Sequence, residues 1–464
     1  MLLARRMNRI ALLFSGIMLS HSIQAQTFTV AHTFISDGAS PNAELLLDGS
    51  VLYGTARNGG SSDCGTVFRL NTDGTGFVVL KEFSAMSGYP GYTNGDGALP
   101  MAGLRLSGGK LYGTTRRGGN FGSGTVFELN TDGTGFTVLK HFSALIDTDS
   151  WPTNYDGAEP TAALVLCNGT LYGTASVGGS AGYGTIFKLG TNGSDFAVLK
   201  TFTGFGNPDG VWPNVGLTLS DGKLYGATYE GGLRDGGTVF RINTNGTGYT
   251  VLKYFQSSNG FTNADGERPG GTLAIDGSTL FGTTFMGGGF AVGTVFRMNT
   301  DGADYAVLKH FNQEDGWGSY SGLLISGDKL FGTTYYGGRD ENDVGNGVVF
   351  RVNTNGANYT VLKNFTQHDG ANSAAALTRS GTTLYGTTEL GGGFNNGVVF
   401  SLDLRIPLNI RFADRYAVLN WSDPAFVLET SSEPTVGFTN IANAFSPYTN
   451  LMGPERQFFR LRAD

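Results

Sequence analysis

The fold is decided by one stretch, Leu111-Tyr112-Gly113-Thr114, which is followed by Gly118-Gly119, by Gly124-Thr125-Val126-Phe127 and by Phe136-Thr137-Val138-Leu139-Lys140. The pattern occurs seven times, about 50 to 60 residues apart. Its first element starts at Leu52, Leu111, Leu171, Leu224, Leu280, Leu330 and Leu384, and its third at Gly65, Gly124, Gly184, Gly237, Gly293, Gly347 and Gly397. Such periods indicate stacked or radial units that cannot bury a core alone.

Each unit predicts four short strands. In the second unit, apolar alternation between glycine-rich breaks places them at Met101–Leu106, Leu111–Thr115, Thr125–Asn130 and Phe136–Phe142. A β-helix would need a shorter coil, and a helical solenoid would need long segments of 3.6-residue period. Four strands per unit therefore predict the blades of a β-propeller.

The seventh unit lacks its fourth strand, because nothing like Phe136-Thr137-Val138-Leu139-Lys140 follows Gly397. A similar segment stands near the N-terminus, at Phe28–Phe34. We expect Thr27–Phe34 to pair with Val398–Leu404, which would leave no exposed sheet edge in the array. The sequence thus predicts an all-β, seven-bladed β-propeller closed by the N-terminal strand, with a small C-terminal β-module.

Three segments follow along the chain. Residues 1–25 combine Arg5, Arg6 and Arg9 with a short apolar run, which is typical of a secretory signal peptide. Residues 26–404 form the predicted propeller. Residues 405–464 lack the repeat, and Ala417–Trp421, Phe426–Thr430 and Phe458–Arg462 are predicted strands of the module. We expect a secreted or cell-surface protein, with the periplasm as the alternative location.

Charge excludes some partners. The chain has a formal charge of −7, and the signal segment holds three arginines and no acid, so the mature chain is more acidic still. Nucleic acid is bound through clustered lysine and arginine, and a membrane-surface protein through a basic amphipathic helix; neither pattern is found. We expect a monomer without a transmembrane segment in the mature chain, whose partner is a polysaccharide or a surface protein.

The repeated Leu-Tyr-Gly-Thr, Gly-Gly and Gly-Thr-Val-Phe elements of residues 27–404 resemble the GloVer tandem-repeat family of exported bacterial proteins. The resemblance implies export, a propeller-like repeat array and a C-terminal sorting or attachment region, but no activity. The tail with Phe458-Phe459-Arg460-Leu461 resembles the modules that close many such proteins. It lacks a Pro-Glu-Pro-type motif followed by a membrane helix, so covalent surface anchoring is not implied.

The loops between blades contain one Asp-Gly pair each. Four of these aspartates follow an asparagine two residues earlier, which gives oxygen donors suited to calcium: Asp96, Asp156, Asp209 and Asp265. The alternative is a repeated turn in which each aspartate accepts hydrogen bonds from nearby backbone N–H groups. Beyond this calcium hypothesis the sequence predicts no cofactor.

Tryptophans stand in the same loops. Trp151, Trp212 and Trp317 lie close to the Asp-Gly pairs, and exposed flat rings beside polar groups suit sugar recognition. The alternatives are packing between blades and a protein interface, since aromatic anchors also mark protein contacts.

The two residues before each Gly-Gly pair vary most within the repeated frame. A localised site on a symmetric scaffold must break the symmetry, so we take these as candidate ligand-binding residues: Arg57, Arg116, Arg117, Tyr229, Glu230, Tyr335 and Glu389. We expect the three arginines, on adjacent blades, to meet an anionic group. The alternative is a set of solvated loop side chains.

The sequence holds no nucleophile elbow with a suitable triad, no metal-spaced histidine pair and no phosphate loop. Catalytic residues are therefore not assigned. The leading hypothesis is a secreted binding or scaffold protein for extracellular polysaccharide. The alternatives are a carbohydrate-active hydrolase or lyase that uses acidic loop residues, and a protein-binding adhesion or surface component.

Overall fold

A computed structural model describes residues 27–88, 92–148, 151–258, 261–339, 345–404, 409–413, 416–420, 426–433, 438–441, 444, 447–451 and 457–463. The predicted signal peptide, residues 1–25, lies outside these residues. The described residues form strands, turns and loops without any helix, and so include no helical segment long and apolar enough to cross a membrane.

The described part of residues 28–404, together with Thr27, holds seven sheets, which we number 1 to 7 along the chain. The first strand, β1, spans Thr27–Thr33 and belongs to sheet 7. Sheets 1 to 3 contain β2 (Leu46–Asp48), β3 (Val51–Ala56), β4 (Thr66–Asn71) and β5 (Val78–Glu82); β6 (Arg105–Ser107), β7 (Lys110–Thr115), β8 (Thr125–Asn130) and β9 (Thr137–His141); and β10 (Val165–Cys167), β11 (Thr170–Ala175), β12 (Thr185–Gly190) and β13 (Ala197–Thr201).

Sheets 4 to 7 repeat this order. They contain β14 (Thr218–Ser220), β15 (Lys223–Thr228), β16 (Asp235–Asn243) and β17 (Thr250–Gln256); β18 (Glu267–Pro269), β19 (Ala274–Asp276), β20 (Thr279–Met286), β21 (Thr294–Asn299) and β22 (Ala306–His310); β23 (Leu324–Ser326), β24 (Lys329–Thr333), β25 (Val348–Asn353) and β26 (Thr360–Asn364); and β27 (Thr378–Ser380), β28 (Thr383–Thr388) and β29 (Val398–Asp403) with β1. Consecutive strands within a sheet pair antiparallel, as in sheet 2. The all-β class is thus as predicted.

The N-terminal strand completes sheet 7, in which the strand order is β1-β29-β28-β27. Phe34 N donates to Gly397 O at 3.2 Å just beyond this pair. The predicted pairing of Thr27–Phe34 with Val398–Leu404 is therefore confirmed. Because the two ends of the repeat array share one sheet, the last sheet cannot separate from the first residues of the array without losing a strand.

The same hydrogen bond joins six of the seven repeats to the one before them. Leu99 N donates to Cys64 O at 2.8 Å, and Glu159 N donates to Ser123 O at 2.9 Å. In repeat 1 the equivalent donor, Ser40 N, reaches Asn396 O of repeat 7 at 2.8 Å. The first and last repeats are thus in contact in the way that successive repeats are.

The glycine of Leu-Tyr-Gly-Thr links two of the repeated elements. A Cβ on Gly113 would lie 2.5 Å from Phe127 Cζ and 2.8 Å from Leu104 Cδ2, far inside normal contact distance. Phe127 is the phenylalanine of Gly-Thr-Val-Phe and is fully buried. The equivalent glycines, such as Gly226 beside Phe240, have the same neighbours. The glycine is therefore required by packing, since interiors of this density have no room for an added methyl group.

The first strand of each sheet is shorter than predicted. In sheet 2 it covers Arg105–Ser107 instead of Met101–Leu106. The residues before it are held by the preceding repeat, where Thr55 Oγ1 donates to Ala102 O at 3.1 Å. The repeated side-chain hydrogen bond thus takes the place of strand pairing, which the alternation of apolar residues did not reveal.

Residues 405–464 belong to a second compact unit. Its described strands form two antiparallel sheets: β30 (Asn409–Ala413), β31 (Tyr416–Asn420) and β34 (Tyr448–Leu451), and β33 (Thr439–Asn440), β32 (Phe426–Ser431) and β35 (Phe458–Ala463). Leu419 and Leu428 are fully buried, and Tyr448 and Phe459 pack against them. The three predicted strands of this segment are present; Trp421 lies outside the described residues.

Candidate functional site

A cavity of about 670 Å³ is lined by residues from all seven repeats. We call it the central cavity. Its lining includes Asn42, Arg57, Met101, Arg116, Trp151, Glu159, Thr161, Ser176, Val177, Trp212, Asn214, Gly270, Tyr320, Tyr335, Tyr336, Ala374 and Glu389. These residues come from the loops before the first strand of each sheet and from the residues just after the second strand. A cavity of this volume is in the range of ligand-binding pockets.

One position has left-handed backbone in every repeat, three residues after the aspartate of each Asp-Gly pair, and two of its residues, Glu159 and Trp212, line the cavity. Its φ lies between 53° and 66° at Ser40, Leu99, Glu159, Trp212, Arg268, Gly318 and Asn372. Positive φ is uncommon for residues other than glycine, and each such residue costs about 1–3 kcal/mol. A bulky residue such as Trp212 persists there only because the surrounding hydrogen bonds hold it.

Those hydrogen bonds run to two neighbours. Trp212 N donates to Tyr183 O of the preceding repeat at 3.1 Å, and Trp212 O accepts from Tyr229 N at 3.1 Å. Leu99 and Arg116 are related in the same way, with Arg116 N donating to Leu99 O at 3.1 Å. The left-handed residue therefore lies beside the first of the two variable residues that precede Gly-Gly, such as Tyr229 or Arg116. Side chains from both positions contribute to the site.

Glu159 binds two of the predicted arginines. Arg116 Nε lies 2.9 Å from Glu159 Oε2, and Arg117 Nη2 lies 2.6 Å from Glu159 Oε1. Glu159 belongs to repeat 3 and both arginines to repeat 2. Both oxygens of this buried carboxylate are therefore occupied by guanidinium groups, in charge-assisted hydrogen bonds.

Glu389 has a similar role between repeats 7, 1 and 6. Arg57 Nη1 lies 3.6 Å from Glu389 Oε1, and Tyr335 Oη donates to Glu389 Oε2 at 2.8 Å. Burial, together with the neighbouring Glu389 carboxylate, raises the pKa of Tyr335 well above the ordinary range, so its hydroxyl stays protonated and donates.

Tyr229 and Glu230 share a fourth arginine, Arg268. Arg268 Nη2 lies 2.7 Å from Glu230 Oε1, and the guanidinium lies 5.5 Å from the centre of the Tyr229 ring. These pairs correct the expectation that Arg57, Arg116 and Arg117 wait for an anionic ligand. Each has a glutamate partner, and the charged residues that line the central cavity in the described part of the chain are two arginines and two glutamates.

Aromatic rings cover one side of the cavity. Trp151 and Trp212 pack with their ring centres 5.5 Å apart, and Phe205 lies 5.4 Å from Trp212. Tyr183 completes the group, 5.9 Å from Trp151 and 5.8 Å from Phe205. Trp151 is 38% exposed, so the group presents ring surface to solvent at the cavity.

A second aromatic group comes from repeats 5 and 6. The Tyr320 ring stacks on Phe285 at 4.2 Å and meets the Tyr335 ring edge-on at 5.6 Å. Tyr335 in turn contacts Tyr336, with ring centres 4.7 Å apart. Burial raises the pKa of Tyr320, with Tyr229 as the next contributor, so this hydroxyl also remains protonated. Tyr320, Tyr335 and Tyr336 all line the central cavity, to which they contribute aromatic rings and hydroxyl groups.

Trp317 is separate from the other two predicted tryptophans. It lines a second cavity of about 560 Å³ with Gln313, Glu314, Tyr336 and Arg339. The three tryptophans also occupy different positions of the repeat: Trp212 is the left-handed residue, Trp317 stands one residue before it, and Trp151 precedes its Asp-Gly pair. All three tryptophans stand in loops between successive repeats, but this shared location did not predict their separation.

The aspartates predicted as calcium ligands are bound by lysines. The lysine at the end of the preceding fourth strand lies 2.5–2.6 Å away in the pairs Lys81–Asp96, Lys140–Asp156, Lys200–Asp209 and Lys253–Asp265. Burial alone would raise the pKa of Asp96, but hydrogen bonds from Lys81 and Ser84 outweigh it and lower that pKa. An ammonium group therefore occupies the place that the calcium hypothesis gave to a metal. Within the described ranges, no three His, Cys, Asp or Glu side chains are grouped to hold a metal ion.

The sequence interpretation missed Glu159 and Arg268. A signal for both was present, because the residue three positions after each Asp-Gly aspartate changes from repeat to repeat while proline follows it in five of the seven. Variation beside this proline marks a site-forming position in the same way as variation before Gly-Gly.

The model of the Gloeobacter/Verrucomicrobia repeat family matches residues 15–154, 146–264 and 258–413, as the repeated motifs predicted. No curated protein is significantly similar to the chain. Solved structures with some similarity include a chain of a nidogen–laminin complex, with 15% identity, a TM-score of 0.41 and coverage of 70% of this chain and 96% of that one.

Two oligogalacturonate lyases are also similar. The lyase in complex with manganese has 13% identity and a TM-score of 0.48, with coverage of 82% of this chain and 96% of that one. The lyase from Vibrio parahaemolyticus has 10% identity and a TM-score of 0.46, with coverage of 82% and 97%. Likeness at this level carries no argument about what this chain binds.

Proposed function

This chain belongs to the Gloeobacter/Verrucomicrobia repeat family, and from that premise we propose that it is an exported seven-bladed β-propeller that binds a neutral polysaccharide in its central cavity. Each of the seven sheets is then one blade. Export rests on the predicted signal peptide of residues 1–25, and the site of action is the extracellular space or the cell surface.

The closed ring is supported by contacts between the first and last repeats. Ser40 bonds to Asn396 as Leu99 bonds to Cys64, and a Cβ on Gly397 would meet Pro41 as one on Gly65 would meet Pro100. A cavity lined by residues of all seven repeats is also what a closed ring would produce. In such a ring each sheet keeps only its short innermost strand and its outermost strand as edges.

The central cavity is the single observation that supports the ligand class. It combines exposed ring faces of Trp151 and Tyr336 with amide and hydroxyl groups, which is the chemistry that holds a sugar by stacking and hydrogen bonds. Its arginines and glutamates neutralise each other, so an uncharged glycan needs no counter-charge there. A strongly anionic polymer would have to displace Glu159 or Glu389 from the arginines.

Affinity electrophoresis of the exported chain in gels containing cellulose derivatives, xylan or mannan tests the proposal. We expect retardation that is weakened by Trp151→Ala and unchanged by Phe121→Ala, since Phe121 is an exposed ring outside the cavity lining. Release of reducing ends or unsaturated products in the same samples would instead favour the hydrolase or lyase. Absence of retardation with all three polymers would contradict the proposal and favour a protein partner.

A further inference from the structure

Repeat 6 differs from the other six repeats at two bonded positions. The residue directly after the Asp-Gly glycine is Trp317 in repeat 6, whereas the others have Ala39, Ala98, Ala158, Val211, Glu267 and Ala371. The residue directly before Gly-Gly is Tyr336 in repeat 6, whereas the others have Asn58, Arg117, Val177, Glu230, Met286 and Leu390. Both aromatic replacements thus occur in the same repeat.

The backbone holds these two rings together. Trp317 N donates to Tyr336 O at 2.8 Å, and Tyr336 N donates to Trp317 O at 2.9 Å. Their ring centres lie 5.1 Å apart. A pair that served only to fill space would be buried, but Tyr336 is 39% exposed. The pair therefore forms a rigid aromatic surface that faces solvent, and such pre-organised rings cost little conformational entropy on binding.

Tyr336 stands between two cavities. It lines the central cavity with Tyr335 and Tyr320, and it lines the second cavity with Trp317. The ring centres along Trp317, Tyr336, Tyr335 and Tyr320 are 5.1, 4.7 and 5.6 Å apart. The aromatic path thus continues from the central cavity across repeat 6.

Polar groups accompany this path outside the central cavity. Gln313 and Glu314 line the second cavity beside Trp317, and the Glu314 carboxylate is paired with Arg339. Among the described residues, the charged side chains of this wall are thus paired with each other, as in the central cavity. Rings for stacking and neutral hydrogen-bonding groups beside them suit further units of the same uncharged glycan.

Resting on the proposed function, we infer that Trp317 and Tyr336 form an outer sugar subsite, so that the protein binds a linear neutral glycan of several units whose chain leaves the central cavity across repeat 6. A mono- or disaccharide fills only the central cavity. Longer chains gain contacts at Trp317.

Isothermal titration calorimetry on the exported chain, with both compact units retained, tests this inference. The probes are cello-, xylo- and manno-oligosaccharides of two, four and six units. For the series that binds, we expect affinity to rise with length, with the hexasaccharide about fivefold to tenfold tighter than the disaccharide, the effect of one added stacking contact. Trp317→Ala should remove this gain and leave the disaccharide affinity unchanged.

Trp317→Ala is compatible with the fold, because alanine occupies this position in four other repeats. Two further variants control the result. Tyr336→Leu copies Leu390 of repeat 7. Trp151→Ala should weaken all lengths equally. Binding that does not depend on length, or that Trp317→Ala and Tyr336→Leu both leave unchanged, overturns the outer subsite alone. Failure of every oligosaccharide and polymer to bind overturns the proposed function, and the subsite with it.

Discussion

His32 Nε2 lies 3.2 Å from Asp37 Oδ2, at the place where the other six sheets pair a lysine with the aspartate of Asp-Gly. The equivalent pairs are Lys81–Asp96, Lys140–Asp156, Lys200–Asp209, Lys253–Asp265, Lys309–Asp315 and Lys363–Asp369. The His32 ring also stacks on Phe77 at 3.6 Å. The N-terminal strand β1 therefore has a histidine as the partner of its aspartate, whereas the fourth strands of the other six sheets have a lysine. Histidine is the side chain whose charge changes near neutral pH.

His32→Lys should make stability less dependent on pH. Burial lowers the pKa of His32, although Asp37 opposes this shift, so the unfolded chain, with an ordinary pKa near 6.5, takes up the proton at a higher pH than the folded chain. The contribution of His32 is thus complete above about pH 6.5 and is lost as the pH falls toward the folded pKa. Lysine is charged across this range and keeps the pair.

Thermal unfolding at pH 7.5 and pH 5.5 measures this difference. Wild type should lose more stability between the two values than His32→Lys. Some loss remains in the variant, because burial lowers the pKa of His141 and His310 as well. An equal loss in both proteins would show that His32 does not titrate as its surroundings indicate.

Lys140→Met should destabilise the protein by about 3 kcal/mol, because it leaves the buried Asp156 carboxylate without its counter-charge. Chemical denaturation of the variant and of Lys140→Met with Asp156→Asn measures the effect, and the double variant should recover part of it. Arg339→Met is the matched control. Arg339 pairs with Glu314, and both side chains are about two-thirds exposed, so loss of this pair should cost far less than loss of the buried one. Equal costs at Lys140 and Arg339 would contradict the buried pair.

Calcium should leave the unfolding temperature unchanged. Asp96, Asp156, Asp209 and Asp265 each bind a lysine in the folded protein, and a cation there would have to displace an ammonium group. Thermal unfolding with excess calcium and with chelator measures this directly. A rise in unfolding temperature with calcium that Asp156→Asn abolishes would restore the calcium hypothesis.

Glu159→Gln should create an anion-binding cavity. The change removes the carboxylate that binds Arg116 and Arg117, which leaves two guanidinium groups free to bind an acidic polymer. We expect retardation by alginate or pectate at low salt, with affinity at least about tenfold above wild type, and its loss at high salt.

Glu128→Gln is the control for this result, because it changes the net charge equally and lies outside the cavity lining. Equal retardation of both variants would mean that overall charge is responsible. Retardation of the wild type by the same acidic polymers would contradict the charge balance proposed for the cavity.

Much of the fold could be predicted from local patterns. Most strands of the repeat array are marked by their own residues, as Thr125–Asn130 and Leu111–Thr115 show, although the first strand of each sheet is shorter than predicted. The missing fourth strand after Gly397 indicated the pairing of β1 with β29. The site was predicted less well. Arg57, Arg116, Tyr335 and Glu389 do line the cavity, but their partners were not foreseen.

The sequence by itself determined the strands, their order and the strand that completes sheet 7, because the alternation of apolar residues and the repeated glycines act within a few residues of each position. Only the tertiary structure decided that Glu159 binds Arg116 and that Trp317 lies apart from Trp151. These contacts join different repeats, or different positions of one repeat. They depend on how each sheet is turned relative to the next, and the period of the sequence carries no information about that rotation.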